Sequence, residues 1–213
     1  MTSPPAPLAT NRRPSGQVRQ RLIEAGLELA RGAGPNAVRL REATRRVGVV
    51  PNAAYRHFKD RDALLNAVCV AAMRQLARRM EDEVARVSGV ADSDERATAR
   101  LTALGRAYLD FAFAEPGLFE TAFAVPRHLE FATDGDAAGA GGRTPFQLLG
   151  DALDELVGVG VLPRERRPAA EYAVWASVHG MAVLMNQGPL RRMPAADRGT
   201  LVDNLLSFIA RGL

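Results

Sequence analysis

Several residue types are scarce in this 213-residue chain, and each scarcity excludes something. There is one cysteine, Cys69, so no disulfide can form within the chain, and the single thiol suits a reducing compartment. A redox switch at Cys69 has no second cysteine to complete it, and a lone cysteine also suits a small buried hydrophobe. The three histidines, His57, His128 and His179, are scattered without the H-x-x-x-H or H-E-x-x-H spacing of a metal site, so no metal or cofactor is expected. No P-loop, G-x-S-x-G or strand–helix G-x-G-x-x-G occurs. Ser177 and His179 stand two apart on a helical stretch and face different ways. An enzyme is therefore not expected. No apolar run reaches the roughly 18 residues needed to cross a bilayer. The opening "MTSPPAPLATNRRPSG" lacks the apolar region of a secretory signal, so a cytoplasmic protein without membrane attachment is expected.

What is present is unevenly charged. Residues 1–61 hold 12 basic and 4 acidic side chains, a net +8, whereas residues 62–213 hold 16 and 20, a net −4. A basic third joined to a mildly acidic remainder suits a chain that meets a polyanion at one end. Charge alone suits a solvated face equally well. Lysine occurs once, at Lys59, beside 27 arginines, which fits GC-rich coding.

The periodicity is helical almost throughout, with no alternating strand pattern. An all-α fold of about nine helices follows: a flexible arm over 1–16, a three-helix unit over 17–60, and a larger helical body over 61–213. Val18, Leu22, Ala25 and Leu29 form the stripe of the first helix, ended by "RGAGP". Leu40, Ala43 and Val47 face inward on the second, with Arg41, Arg45 and Arg46 outward. A third short helix starts at Pro51 and runs to about His57. Asp60 caps a long fourth helix over about 61–87. A fifth spans about 97–114, a sixth starts at Pro116, and Thr144-Pro145 opens a seventh. The segment "ATDGDAAGAGGR" (132–143) has no periodicity and reads as a mobile loop. The eighth helix, 171–187, is apolar on nearly every side and reads as buried all round. The ninth, 195–211, carries Leu201, Leu205 and Phe208 on one side and Val202, Leu206 and Ile209 on the next. With nothing following to cover these two helices, a second copy of the chain is the expected partner.

The stretch "VPNAAYRHFKDRDALL" (50–65) mixes aromatic, charged and small residues in a way that neither core nor open loop requires. It makes sense as the second helix of a helix-turn-helix, entering the major groove of double-stranded DNA after a turn at Gly48-Val49-Val50. Ala53 and Ala54 keep the approach to the bases narrow. Asn52 suits a bidentate pair with adenine, and Arg56 or Arg41 with guanine. Tyr55 and His57 suit phosphate oxygens, Lys59 the backbone, and Phe58 a lock against the first helix.

The run "GVVPNAAYRHFKDRDALLNAV", continued upstream by "LIEAGLELARGAGPNAVRLREATRRVG", resembles TetR-type transcriptional regulators in order and spacing over residues 17–68. "AVWASVHGMAVL" (173–184) and "YLDFAFAEPGLFETAF" (108–123) are similar to the C-terminal domain of a Trp-His-Gly (WHG) subgroup, chiefly at Trp175, His179 and Gly180. The resemblance implies a homodimer through the last two helices, an inverted-repeat operator and a small-molecule effector held in the helical body, the regulator being a repressor. The chain departs from the family pattern at Arg39 and Val50, where a hydroxyl side chain usually caps the second and third helices. Each loss costs roughly 0.5–2 kcal/mol where the cap matters. Arg39 offers a charge contact with DNA instead.

For the effector, Tyr108, Phe111, Phe119, Phe123, Phe146, Leu149, Trp175, Val178 and His179 could line an apolar chamber with a few polar tips. Each also suits plain core. Trp175 and His179, four residues apart, share a helix face. The residues leave two alternatives open: a DNA-binding dimer without a small-molecule response, and a helical protein-interaction adaptor, which would leave the basic third unexplained.

Overall fold

The computed structural model describes residues 15–87, 89, 92–125 and 134–213. Among them are nine α-helices and no strand, the all-α architecture expected: α1 (Ser15–Ala33), α2 (Leu40–Val47), α3 (Pro51–Tyr55), α4 (Arg61–Arg86), α5 (Ser93–Ala114), α6 (Pro116–Ala122), α7 (Pro145–Gly158), α8 (Ala170–Asn186) and α9 (Ala195–Gly212). The expected arm over 1–16 lies outside the described residues except for Ser15 and Gly16, which begin α1.

Local chemistry sets the boundaries. Asp60 accepts a hydrogen bond from the Ala63 amide at 2.7 Å and starts α4. Asp92 accepts from the amides of Asp94 and Glu95, so α5 begins at Ser93, four residues before its apolar stripe does. Thr144 and Gln147 form a reciprocal capping box at α7. Gly48 ends α2 at φ 71°, a conformation that a residue with a Cβ adopts only under strain.

α1, α2 and α3 form a small head around Leu22, Val38, Leu40, Ala43, Val47, Ala54 and Phe58, all buried. α4 leaves the head and runs into the body. Near its start, Arg61 donates to the carbonyls of Val38 and Pro35, while Leu64 and Val68 pack against α1 at Gly26. α5 is the hub of the body, in contact with α4, α6, α7, α8 and α9. α6 closes the back, where Gly117 lies against the carbonyls of Ala30 and Arg31, and Glu115 pairs with Arg31 at 2.8 Å.

Two sequence expectations change. From Asp134 onward the segment expected to be mobile is built: a 3-10 turn over Gly135–Ala137 is followed by a glycine turn wrapped around one carboxylate. Glu81 of α4 accepts from the amides of Ala140 at 2.8 Å and Gly141 at 3.0 Å, and Arg74 donates to the Asp136 carbonyl. A Cβ at Gly139 would fall on that carboxylate, so the glycines permit the approach instead of signalling disorder. Residues 132 and 133 lie outside the described residues.

The second change is in α8. It is not buried all round within the chain. Val174, Val178, Ala182 and Met185 are buried, but Tyr172, Val183 and Leu184 are exposed. On α9 the core takes Val202, Leu206 and Ile209, leaving Phe208 70% exposed. The described residues leave this apolar surface uncovered.

Candidate nucleic-acid interface and ligand cavity

α3 has a pinned inner face and an open outer one. Ala54 is fully buried and Phe58 nearly so, with the Arg19 guanidinium of α1 stacked 5.3 Å from the Phe58 ring centroid. Phe58 is thus the lock the sequence suggested. Ala54, expected near the bases, belongs to the core instead. Five helical residues cannot turn two adjacent small side chains the same way, because each residue rotates the face by about 100°. Ala53 remains half-buried toward the outer side.

The outer face consists of Asn52, Tyr55 (57% exposed) and Arg56, continued by Lys59, with His57 half-buried beside them. Arg39 and Arg41, at the start of α2, are exposed as well. None of Arg39, Arg41, Asn52, Tyr55, Arg56 and His57 makes a side-chain hydrogen bond or ion pair among the described residues. Lys59 has only a loose pair with Asp60 at 3.9 Å. Neither Arg39 nor Val50 supplies a side-chain cap to the helix that follows it, as their chemistry requires.

Other arginines of the basic third serve the fold. Arg45 donates twice to Glu42, which holds that carboxyl below its ordinary value. Arg46 pairs with Glu28 of α1 at 3.3 Å and with Glu42 at 3.7 Å. Arg21 donates to the Val47 carbonyl at 3.0 Å and so satisfies the end of α2. The i,i+3 spacing of Glu42 and Arg45 was a readable signal for the first of these ties. The contacts of Arg21 and of Arg46 with Glu28 needed the tertiary structure.

In the body, α4, α5, α7 and α8 surround a cavity of about 50 Å³. Tyr108, Phe123, Phe146, Leu149, Trp175 and Val178 line it, as the sequence suggested. The sequence reading missed Met73 and Met80 on α4, Leu101, Leu104 and Gly105 on α5, Pro145 on α7 and Val174 on α8. The two methionines stand seven apart on the inner stripe of α4, the signal that could have found them. Three expected residues fall outside the lining. Phe111, one turn beyond Tyr108, is 1% exposed beneath the Arg79 guanidinium, in a space already filled by α4. Phe119 and His179 sit behind Tyr108 and Phe123 as their support: Phe119 meets Tyr108 edge-on at 5.6 Å, and His179 meets Phe123 at 4.8 Å.

The cavity's polar atoms converge on one oxygen. Trp175 donates its indole N–H to Tyr108 Oη at 3.2 Å, and Tyr108 Oη shares a 2.7 Å hydrogen bond with His179 Nδ1. Burial pushes the Tyr108 phenol well above its ordinary value, an effect that the Trp175 bond only partly offsets, and burial lowers the His179 pKa. Both groups are neutral near pH 7. No cluster of His, Cys, Asp or Glu able to hold a metal occurs among the described residues, and none of their helices is long and apolar enough to cross a membrane.

Comparison with known proteins matches this geometry. The solved structure of a protein of unknown function from Rhodococcus sp. RHA1 superposes with a TM-score of 0.72 at 23% identity, covering 97% of this chain and 99% of that one. The transcriptional regulator FadR from Bacillus subtilis, solved with stearoyl-CoA, gives 0.63 at 17% identity over 91% and 98%. A TetR variant from Acinetobacter baumannii AYE, solved with minocycline, gives 0.55 at 18% over 90% and 93%. At these identities the likeness is one of fold. In sequence, the uncharacterized HTH-type transcriptional regulator YobS of Bacillus subtilis (strain 168) is 26% identical over 107 residues, 50% of this chain. The chain spans about half the length of that curated relative, 52%. Residues 22–68, which carry α2, α3 and their turn, match the model of bacterial regulatory proteins of the tetR family. Residues 101–209, which carry most of the cavity, match the tetracyclin repressor-like C-terminal domain. The chain belongs to the TetR family of DNA-binding transcriptional regulators, which are not enzymes.

Proposed function

We propose that the protein is a homodimeric repressor acting in the cytoplasm. In this reading residues 17–60 bind DNA, residues 61–213 dimerise and hold an effector, and a small apolar ligand releases the dimer from an inverted-repeat operator. One observation carries the DNA role: Asn52, Tyr55 and Arg56 on α3 and Arg39 and Arg41 at the start of α2 are exposed, His57 is half-buried beside α3, and none of the six has a side-chain partner among the described residues, on a head whose arginines 21, 45 and 46 are tied down. Asn52 and either Arg56 or Arg41 pair with base edges, Tyr55, His57, Lys59 and Arg39 with the backbone, and Ala53 leaves room for the groove wall. Two heads read half-sites whose centres lie about one helical turn, ~34–36 Å, or a multiple of it apart.

The exposed stripe of Tyr172, Val183, Leu184 and Phe208 on α8 and α9 supports the dimer, and Phe208 is its most exposed member. Phe208→Glu places a charge in that contact. The variant is expected to sediment as a helical monomer at concentrations where the native chain is a dimer, and to lose binding to a paired site while retaining weak half-site binding. A native chain that is monomeric throughout would sink the dimer reading.

Release follows from the course of α4. Met73 and Met80 line the cavity, while Arg61, Leu64 and Val68 of the same helix hold the head, so a ligand that displaces the methionines moves the head. The neighbours solved with stearoyl-CoA and with minocycline lend support to a ligand-holding body. A second reading, a dimer without effector response, draws on the cavity's size: about 50 Å³ is a fraction of the ~150 Å³ that admits benzene. Flexible methionines in the lining favour the first reading, because they yield without strain.

A further inference from the structure

The same cavity also carries the chemical class of its ligand, an inference that rests on the effector reading above. None of the thirteen lining residues is Asp, Glu, Lys or Arg. Two have a hydrogen-bonding side chain, Tyr108 and Trp175, and they are bonded to each other. A hydroxyl makes at most three hydrogen bonds, one as donor and two as acceptor. Trp175 and His179 occupy two of the three at Tyr108 Oη. Either tautomer of His179 leaves room for one more: if Tyr108 donates to Nδ1, a lone pair remains, and if Nδ1–H donates, the phenol proton remains.

We propose that the cavity selects an uncharged apolar ligand anchored by a single hydrogen bond to Tyr108 Oη, and that it rejects the ionised counterpart of the same ligand. An anion entering this lining would give up its hydration and meet no cation among the described lining residues. A cation would meet no carboxylate. The loss of hydration for an unpaired ion far exceeds what one neutral hydrogen bond returns. Tyr108 is the specificity-determining residue. Trp175 and His179 are positioning residues that hold its hydroxyl between two fixed rings, 6.3 Å from Tyr108 to His179 and 5.8 Å from His179 to Trp175 between centroids.

The chain supplies its own reporter, since Trp175 is its single tryptophan and lines the cavity. The full-length protein is titrated at pH 8 with cyclohexanol and 1-octanol, with cyclohexanecarboxylate and octanoate, and with cyclohexane, while Trp175 emission is followed. The alcohols are expected to change the emission saturably, with the carboxylates about a hundredfold weaker or more. Tyr108→Phe is expected to weaken the alcohols by about five- to tenfold and to leave cyclohexane unchanged, which also shows that the variant is folded. Carboxylates that match the alcohols would overturn the rejection of charge while leaving the cavity a ligand site. Unchanged alcohol affinity in Tyr108→Phe would remove Tyr108 as the anchor. Silence of Trp175 toward every probe would remove the effector reading itself, and this proposal with it.

Discussion

Replacing Asn52 by Ala is expected to relax the preference for one base pair in each half-site, costing about 1–3 kcal/mol against the preferred base and little elsewhere. The side-chain amide is exposed at the start of α3, has no partner in the described protein, and has the paired donor and acceptor that match the adenine edge. Removing it leaves the helix intact, because Ala54 and Phe58 hold α3 from the opposite face. Lys59→Ala should behave differently. Its side chain is 85% exposed and outside α3, so all sequences weaken together and the slope of log affinity against log salt flattens by about one. The two variants therefore separate reading from holding in one binding series across salt. An Asn52→Ala protein with an unchanged preferred sequence would show that another residue reads that position.

Gly117→Ala is expected to destabilise the protein by about 1–3 kcal/mol, whereas Gly32→Ala, near the end of α1, should change little. A Cβ at Gly117 would land on the Ala30 carbonyl oxygen and 2.9 Å from that of Arg31, backbone atoms at the end of α1 that cannot rotate away as a side chain can. A Cβ at Gly32 would meet nothing within 4 Å. To admit the methyl group, α6 must lift from α1, stretching the Arg31–Glu115 pair and shifting Phe119 from its edge-on contact with Tyr108. Thermal unfolding of the two variants measures the difference. Equal melting temperatures would show that α6 is not seated against α1 as described.

How far the sequence could be read depended on the range over which each feature is determined. α2 was legible to the residue, because Leu40, Ala43 and Val47 make a stripe and Gly48 a stop within nine positions. The start of α5 was placed late because an apolar stripe marks where packing begins, while Asp92 sets where the backbone turns helical. Charge was read as a sum. The sum could not show that Arg21, Arg45, Arg46 and Arg61 spend theirs on carbonyls and carboxylates within the fold, while Arg39, Arg41 and Arg56 have no side-chain partner among the described residues. The glycine-rich turn after Asp134 looked disordered because its partner, Glu81, lies about 60 residues away. In the body, Trp175 and His179 were placed on one helix face by their spacing. Their meeting at the Tyr108 hydroxyl spans 67 and 71 residues and belongs to the packing of α5 against α8. A second copy was expected to cover the last two helices, but which of their faces stay open, at Val183, Leu184 and Phe208, was hidden, because hydrophobicity shows that a face must be covered and does not say which one the core takes.

In the proposed function, two copies of this exposed α3 surface read DNA together. The most direct measurement of this is selection from a random duplex library by the purified native protein at moderate salt, followed by sequencing of the retained pool. Such a dimer enriches an inverted repeat whose half-site centres lie about one helical turn, or a multiple of it, apart. A folded, dimeric protein that enriches no sequence, or enriches one without two-fold symmetry, would contradict this reading.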